Sequence, residues 1–537
     1  MKNQSQHLLM TSNVTGKPPQ LILGARNAYH WQARRSAQPL FDTAATRAIE
    51  QAAQADLPPH SLMQRAGLAT AKLAMALAPH ADTFWVACGP GNNGGDGLEA
   101  AMHLKQWGKS PVVTWLGTPG KVPADAALSH RRAVGAGVAF ADSPPDGFDF
   151  CIDALMGIGA SNPATARPID GRMAAWIALI NASHTPVLAV DLPTGLNADT
   201  GDASALWVRA TATLSLLTPK PGLFTAFGRD ASGDIWLDQL GAQYTDFKAE
   251  PTAWLAGATS IATRDHASHK GSFGDVLVVG GAAGMTGAAL LAATAALHGG
   301  AGRVFVMLLD GGSITVNGQH PELMFRPYND HDFEDQLTTV FAHMTVVCGC
   351  GGGAAVQGPL AAILAANTHA VLDADALNAI AVDKALGGLL RARAERHLQT
   401  VLTPHPLEAA RLLGTTTQQV QQNRLAAATQ LARQFNCTVV LKGSGTVIAA
   451  PGHTPVINPT GNALLATAGT GDVLAGMVGA RLAHLTGRPT KSAPPGLEAF
   501  QAACEAVYLH GEAADRWPAQ HALTASRLSQ ALSYRSE

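Results

Sequence analysis

The sequence is short of charge. Asp, Glu, Lys and Arg make up 14% of its residues and the net charge is −2, against roughly 25% charged residues in soluble proteins at large. No basic block is longer than the pair Arg34-Arg35, and no stretch interleaves aromatic with basic residues, which excludes a general nucleic-acid surface. No apolar run approaches the length of a membrane span. Cysteine is sparse as well. Cys88, Cys151, Cys348, Cys350, Cys437 and Cys504 are scattered through mostly apolar runs, which suits reduced thiols in a cytoplasmic protein better than a disulfide framework. Cys348 and Cys350 lie too close for a CxxC clip. The first 41 residues contain no Asp or Glu, yet they carry Lys2, Lys17, Arg26, Arg34 and Arg35. An organellar presequence would share that bias, but Gly16-Lys-Pro-Pro19 interrupts any amphipathic helix, so a flexible tail over 1–41 is expected.

What the sequence does have is apolar residues, at 47%, and 537 positions over which to bury them. That length predicts two or more domains. Strand-like runs at Thr83–Cys88, Val112–Leu116, Phe148–Leu155, Val187–Leu192 and Thr211–Leu217 alternate with helical stretches at Leu62–Leu77, Gly97–Trp107 and Met173–Ala182. The pattern restarts after a Gly- and Ala-rich junction near Lys248–Thr263, with runs at Asp275–Val279, Val304–Leu308, Thr345–Cys348, Ala370–Leu372, Thr400–Thr403 and Thr438–Lys442. Alternation of this kind predicts a mostly parallel sheet with helices on both faces. Two α/β domains, 42–248 and 249–537, are the simplest account.

Three strand ends in the first half carry acids. Thr83–Cys88 runs into Gly89-Pro-Gly-Asn-Asn-Gly-Gly-Asp-Gly97, Phe150–Asp153 into a Gly157-Ile-Gly159 turn, and Ala189–Asp191 into Leu-Pro-Thr-Gly195. Ligands in open α/β sheets bind beyond the carboxyl ends of the strands, so Asp96, Asp153 and Asp191 are expected to converge there. Each alone is more often a turn or cap residue, but all three following strands into glycine turns point to a site. In the second half, Gly469-Thr-Gly-Asp472 precedes the apolar helix pattern of Val473, Leu474, Met477 and Val478. Unpaired N–H groups at a helix start attract phosphate, and a carboxylate beside them can take a proton from an attacking hydroxyl. Asp472 as a plain N-cap is the competing reading.

Taken together, the first-half motifs resemble the NAD(P)H-hydrate epimerase family, whose fold is Rossmann-like. The second half resembles the ADP-dependent NAD(P)H-hydrate dehydratases, which are ribokinase-like. It does so through Lys270-Gly-Ser-Phe-Gly274, Gly280–Gly287, Leu372-Asp-Ala-Asp-Ala-Leu377, Thr403-Pro-His-Pro406, Lys442-Gly-Ser-Gly-Thr446 and Gly469–Asp472. The resemblance covers about residues 42 to 535.

It implies a repair enzyme that interconverts the R and S hydrates of NADH or NADPH. The S form would then be phosphorylated from ADP and lose phosphate, giving AMP. Asp191 and Asp472 would be the two catalytic groups. Asn93, Asp153 and Thr194 match potassium ligands, as hard oxygen donors should. Asn92, Asn93, Gly94, Gly95 and Asp96, with Gly157, Ile158 and Gly159 in a turn reaching Pro163, would hold the dinucleotide. Lys220 would lie near a phosphate or in an exposed loop.

In the second half Lys442, Gly443, Ser444, Gly445 and Thr446 match the nucleotide segment, and Gly469, Thr470 and Gly471 would offer N–H groups to the transferred phosphoryl. His405 and Gly353 would touch the hydrate, and Asn378 and Glu408 would lie near magnesium and phosphate. Small-molecule substrates and a homo-oligomer are implied, without nucleic acid or membrane. One departure stands out: Gly349-Cys-Gly-Gly-Gly353 replaces the family's Gly-Pro-Gly-Leu-Gly, which predicts a looser loop. A vitamin kinase, or a first domain that only binds and regulates, are the alternatives.

Overall fold

The computed structural model describes residues 29–30, 36–161, 169, 171–242, 249–258, 266–366, 368–487 and 497–532. The expected tail (1–41) and the Pro163 end of the glycine turn lie largely or wholly outside these residues. The chain divides into two compact units whose main spans are Pro39–Trp254 and Leu255–Glu537. Both are α/β, as the alternating pattern predicts.

In the N-terminal unit, Thr83–Cys88 pairs in parallel with Ser110–Trp115 on one side and Phe150–Ala154 on the other. Ala139–Ala141 extends the first side, and Val187–Val190, Ala212–Leu216 and Asp234–Asp238 extend the second, all parallel. Tyr29–His30 adds an antiparallel edge. Alternate side chains of a strand face opposite ways. Phe84, Val86 and Cys88 accordingly join one apolar cluster while Trp85 and Ala87 join another. A sheet buried on both faces needs continuous apolar strands, which is why these runs show no polar alternation. Each fully buried Phe here stabilises by roughly 1.5–3 kcal/mol.

The C-terminal unit repeats the plan. Asp275–Gly280 lies between Arg303–Leu308 and Thr345–Cys348, with Met324–Phe325 beyond the former. His369–Leu372, Thr400–Leu402 and Thr438–Leu441 continue in parallel from the latter. Val447–Ala449 and Val456–Ile457 follow with antiparallel pairs. Helix Thr470–Gly487 packs closely on helix Thr286–His298: a Cβ added at Gly476 would sit 2.0 Å from the Ala292 carbonyl oxygen.

In both units the first sheet strand of the α/β alternation sits between two others and the chain leaves it to build outward on either side. That reversal opens a crevice at the strands' carboxyl ends. Among the described residues no helix is long and apolar enough to cross a membrane.

Candidate active sites

The N-terminal crevice holds a cavity of about 420 Å³, whose lining includes Glu50, Asn93, Asp96, Asp125, Asp191 and Lys220. Asn92, Gly157, Ile158 and Gly159 line it too. The glycine loop is shorter than its sequence suggests, because the helix begins at Asn92 and runs to Gln106. Gly94, Gly95 and Gly97 therefore serve packing. A Cβ at Gly94 would lie 2.0 Å from the Gly89 carbonyl oxygen, and one at Gly97 would lie 2.5 Å from Ala154 Cβ. Without side chains there, the first turn settles onto the strand ends and turns Asn92, Asn93 and Asp96 toward the cavity. Gly94 and Gly95 lie behind these side chains, outside the lining of the cavity.

Asp191 follows Val187–Val190 with φ of 66°, a left-handed conformation that costs a non-glycine residue on the order of 1–3 kcal/mol. Its surroundings hold it there. Its N–H donates to Leu214 O at 2.8 Å. Its carboxylate accepts from the N–H groups of Leu216 and Ile158, each at 3.3 Å, and from the Lys220 ammonium. Lys220 is fully buried and also donates to Ser215 Oγ at 3.2 Å and Leu216 O at 2.7 Å. It is neither an exposed loop lysine nor a free phosphate contact; it is the counter-charge of Asp191. Its burial follows from Thr218–Phe224, a run of fully or nearly fully buried residues that the sequence presents as a proline-glycine loop.

Asp153 is fully buried at the end of Phe150–Ala154. It accepts from Thr194 N–H at 2.9 Å, Thr194 Oγ1 at 2.7 Å and Leu155 N–H at 3.2 Å. No cationic side chain pairs with it among the described residues, and burial pushes its carboxyl up to about 6. The buried Asn93 Nδ2 has no hydrogen-bond partner among the described residues. Asn93 Oδ1 and Asp191 Oδ2 lie 3.1 and 3.2 Å from the point where a Cβ on Gly157 would sit, so the bare glycine brings these two side chains side by side. A carboxylate, an amide and a hydroxyl around a charge deficit suit a hard cation. Asp96 is held well above the usual carboxylate range by burial and by the charge of Asp191.

In the C-terminal unit, Gly469 (φ 88°) turns the chain into helix Thr470–Gly487, with Asp472 in its first turn. The side chains of Cys350, Asp373 and Asp472 bring ligand atoms within 4.8 Å of one another. Burial and then the charge of Asp373 push the Asp472 carboxyl up to about 6. Lys442 follows strand Thr438–Leu441 and reaches Asp373 Oδ1 at 2.7 Å. Its Nζ lies 3.3 Å from where a Cβ on Gly471 would be. Burial alone would pull its ammonium down, but Asp373 and Glu408 outweigh it and the net shift is upward. Thr403 Oγ1 donates to the same Asp373 oxygen at 2.7 Å. Asp373 lies in the Leu372–Leu377 motif, where its place after strand His369–Leu372 is the signal the sequence offers; Lys442 and Thr403 meet it only in the fold.

The segment Lys442–Thr446 turns on Gly443 (φ 135°) and Gly445 (φ 60°), and Thr446 Oγ1 donates to Gly443 O at 3.1 Å. Buried Arg424, far off in sequence, donates to the carbonyls of Leu441 and Lys442 at 3.1 Å each. His405 caps helix Pro406–Leu413, its Nδ1 accepting from the N–H groups of Leu407 and Glu408 at 3.1 and 3.2 Å. Nε2 then faces Glu408 Oε1 at 3.1 Å. Burial and Lys442 lower the His405 imidazole, and burial raises the Glu408 carboxyl to about 7. Asn378 accepts from Arg411 Nη1 at 2.6 Å, a contact that ties it to the helix Pro406–Leu413.

The Gly349–Gly353 loop is better held than its glycines suggest. Cys350 O and Gly351 O accept from Gly281 and Ala282 N–H at 2.9 and 2.7 Å, and Gly353 N–H donates to Asp375 Oδ2 at 2.8 Å. Hydrogen bonds to neighbouring segments replace the stiffness that a proline would supply.

Known proteins with similar sequences give these two sites a family. Residues 59–222 match the family described as YjeF-related protein N-terminus, and residues 276–534 match NAD(P)H-hydrate dehydratase. The chain is 35% identical over 488 residues to the bifunctional NAD(P)H-hydrate repair enzyme Nnr of Moorella thermoacetica, covering 84% of this chain and 86% of that one. It is 33% identical to the protein of the same name from Coxiella burnetii, covering 89% and 94%. A solved ADP/ATP-dependent NAD(P)H-hydrate dehydratase from Bacillus subtilis, co-crystallized with ATP/Mg2+, is 30% identical, with a TM-score of 0.40, covering 51% of this chain and 92% of that one. By identity over nearly its whole length, the chain belongs to the bifunctional NAD(P)H-hydrate repair enzymes.

Proposed function

We propose that the two units divide one repair reaction. The N-terminal unit, with its boundary near residue 248, interconverts the R and S hydrates of NADH or NADPH. The C-terminal unit removes water from the S form at the expense of ADP. The observation that carries this reading is the pair of unlike carboxylates at equivalent crevices, one facing an ammonium and the other a second carboxylate.

In the C-terminal site Asp472 takes the proton of the ring hydroxyl as its oxygen attacks the β-phosphoryl of ADP, and AMP leaves. Loss of a ring proton and of phosphate then restores the dihydronicotinamide. The N–H groups of Gly469, Thr470 and Gly471 at the helix start face the charge that develops on the phosphoryl oxygens. Lys442 is held by Asp373 within reach of the same turn, and Gly443 to Thr446 carry the nucleotide. Magnesium bound with the nucleotide neutralises phosphate charge, with Glu408 as the carboxylate nearest this role. His405 and Gly353 contact the hydrate.

In the N-terminal site Asp191 faces the hydrate ring, with Asn92, Asn93, Asp96 and the Gly157–Gly159 turn along the dinucleotide. Asn93, Asp153 and Thr194 hold potassium, which supplies the positive charge that buried Asp153 lacks. Product analysis tests the whole. With S-hydrate, magnesium and ADP, the protein should form reduced nicotinamide, AMP and phosphate in equal amounts. A stable phosphorylated alcohol with no reduced nicotinamide would favour a vitamin kinase instead.

A further inference from the structure

Glu50 lies outside every motif in the sequence, yet it lines the N-terminal cavity together with Asp191 and Lys220. It sits on helix Thr43–Ala55, which buries Thr43, Thr46, Ile49 and Ala53. Two contacts fix that helix. Thr43 N–H donates to Asp199 Oδ1 at 2.7 Å, and Thr46 Oγ1 bonds Thr218 Oγ1 at 2.7 Å. Thr46 and Glu50 are four residues apart and share a helix face, while Thr218 is two residues from Lys220. The Thr46–Thr218 bond therefore anchors the face bearing Glu50 to the segment that carries the Asp191 counter-charge. Among the described residues no hydrogen bond or ion pair engages the Glu50 carboxyl, an idle acid group on the wall of a substrate-sized cavity.

We propose that Glu50 is the general acid of the N-terminal site, working on the same ring carbon as Asp191. The inference rests on the epimerase reading of this cavity. Glu50 gives its proton to the ring hydroxyl, the carbon–oxygen bond breaks and water leaves, while the lone pair of the ring nitrogen forms the C=N bond of an iminium. Water then adds to the other face, its proton passes to Asp191, and the C=N electrons return to nitrogen. The turnover ends with Glu50 ionised and Asp191 protonated, and proton exchange with solvent restores the start. No oxidant or co-reactant is needed.

Charges around Glu50 fit an acid. Burial and the charge of Asp191 raise its proton affinity, and Asp125 adds to this, while Lys220 and Arg47 work against them; the net direction is upward. Asp191 is met by Lys220, so the two carboxyl groups have the unlike environments that separate an acid from a base.

The test measures R-hydrate consumption by the full-length protein with ADP and magnesium, corrected for uncatalysed interconversion, with S-hydrate turnover as an internal control. Glu50→Gln should cut kcat for the R form by about a hundredfold or more, the usual scale for a lost general acid, with S-hydrate turnover unchanged. Wild-type kcat for the R form should fall as pH rises through the Glu50 ionisation, and E50Q should lack that limb. Glu50→Asp, which keeps an acid on a shorter stem, should retain part of the rate and the limb. If E50Q matches wild type on the R form, or changes KM alone, the proposal is overturned while the epimerase reading stands. If wild type itself fails to interconvert the epimers, the epimerase reading falls instead.

Discussion

The two crevices place an aspartate at the same kind of position and then treat it in opposite ways. Asp191 leaves its strand in a left-handed conformation and receives a buried ammonium and two backbone N–H groups. Asp472 sits at a helix start, but Cys350 and Asp373 are its near neighbours and the local lysine is bonded to Asp373. The fold supplies the crevice, whereas the neighbour of the carboxylate decides its chemistry. A paired aspartate is fixed in place as a partner for proton exchange. One pressed against another acid has a raised proton affinity, which suits a base that must accept a hydroxyl proton.

The contrast can be broken most severely at Asp472. Asp472→Asn should lower S-hydrate dehydration by on the order of 10²–10⁴-fold, the range for loss of a general base, while R-to-S interconversion continues, as chromatography of the two epimers would show. Next comes Lys220→Met, which strands the buried Asp191 charge. A loss of about 3–5 kcal/mol is expected for breaking a buried pair from one side, read as a lower denaturation midpoint of the N-terminal unit, together with loss of interconversion. S-hydrate turnover should survive in conditions where that unit alone has loosened.

The pH dependence sharpens the comparison. As the proposed base Asp472 must be ionised, and its carboxyl is pushed up to about 6. Dehydration should therefore fall as pH drops through about 6, by tenfold per unit below it. The smallest effect belongs to Cys350. Its thiol helps hold the Asp472 proton affinity down, so Cys350→Ala should move the acid limb upward. A hydrogen bond of this kind contributes about 0.5–1.5 kcal/mol, so turnover below pH 6 should drop by less than about tenfold and be unchanged at pH 8.

Much of this was legible in the sequence because strand ends and glycine turns are local signals. The strand Thr83–Cys88 with Asp96 after it, and the Gly469-Thr-Gly-Asp472 turn ahead of its helix, needed no tertiary information. What stayed hidden depends on contacts between distant segments. Lys220 reads as a loop lysine until the segment around it is seen to be buried against Asp191, twenty-nine residues away. Glu50 belongs to no sequence motif, and nothing local shows that Thr46 bonds Thr218. Arg424 reaches Lys442 only through the fold. The glycines of 94–97 carry a double meaning: glycine is common both where backbone meets ligand and where a helix must approach a strand, and the close packing at Gly94 and Gly97 shows the second use.

In the proposed division of labour each unit performs one step, and each step turns on its own aspartate. The most direct test incubates mixed R and S hydrates of NADH with magnesium and ADP and follows the return of reduced-nicotinamide absorbance for wild type, Asp191→Ala and Asp472→Ala. The account predicts full recovery for wild type, recovery that halts for Asp191→Ala once the S form is spent apart from slow uncatalysed interconversion, and none for Asp472→Ala. Recovery by Asp472→Ala at the wild-type rate, or no recovery by wild type with either ADP or ATP, would contradict it.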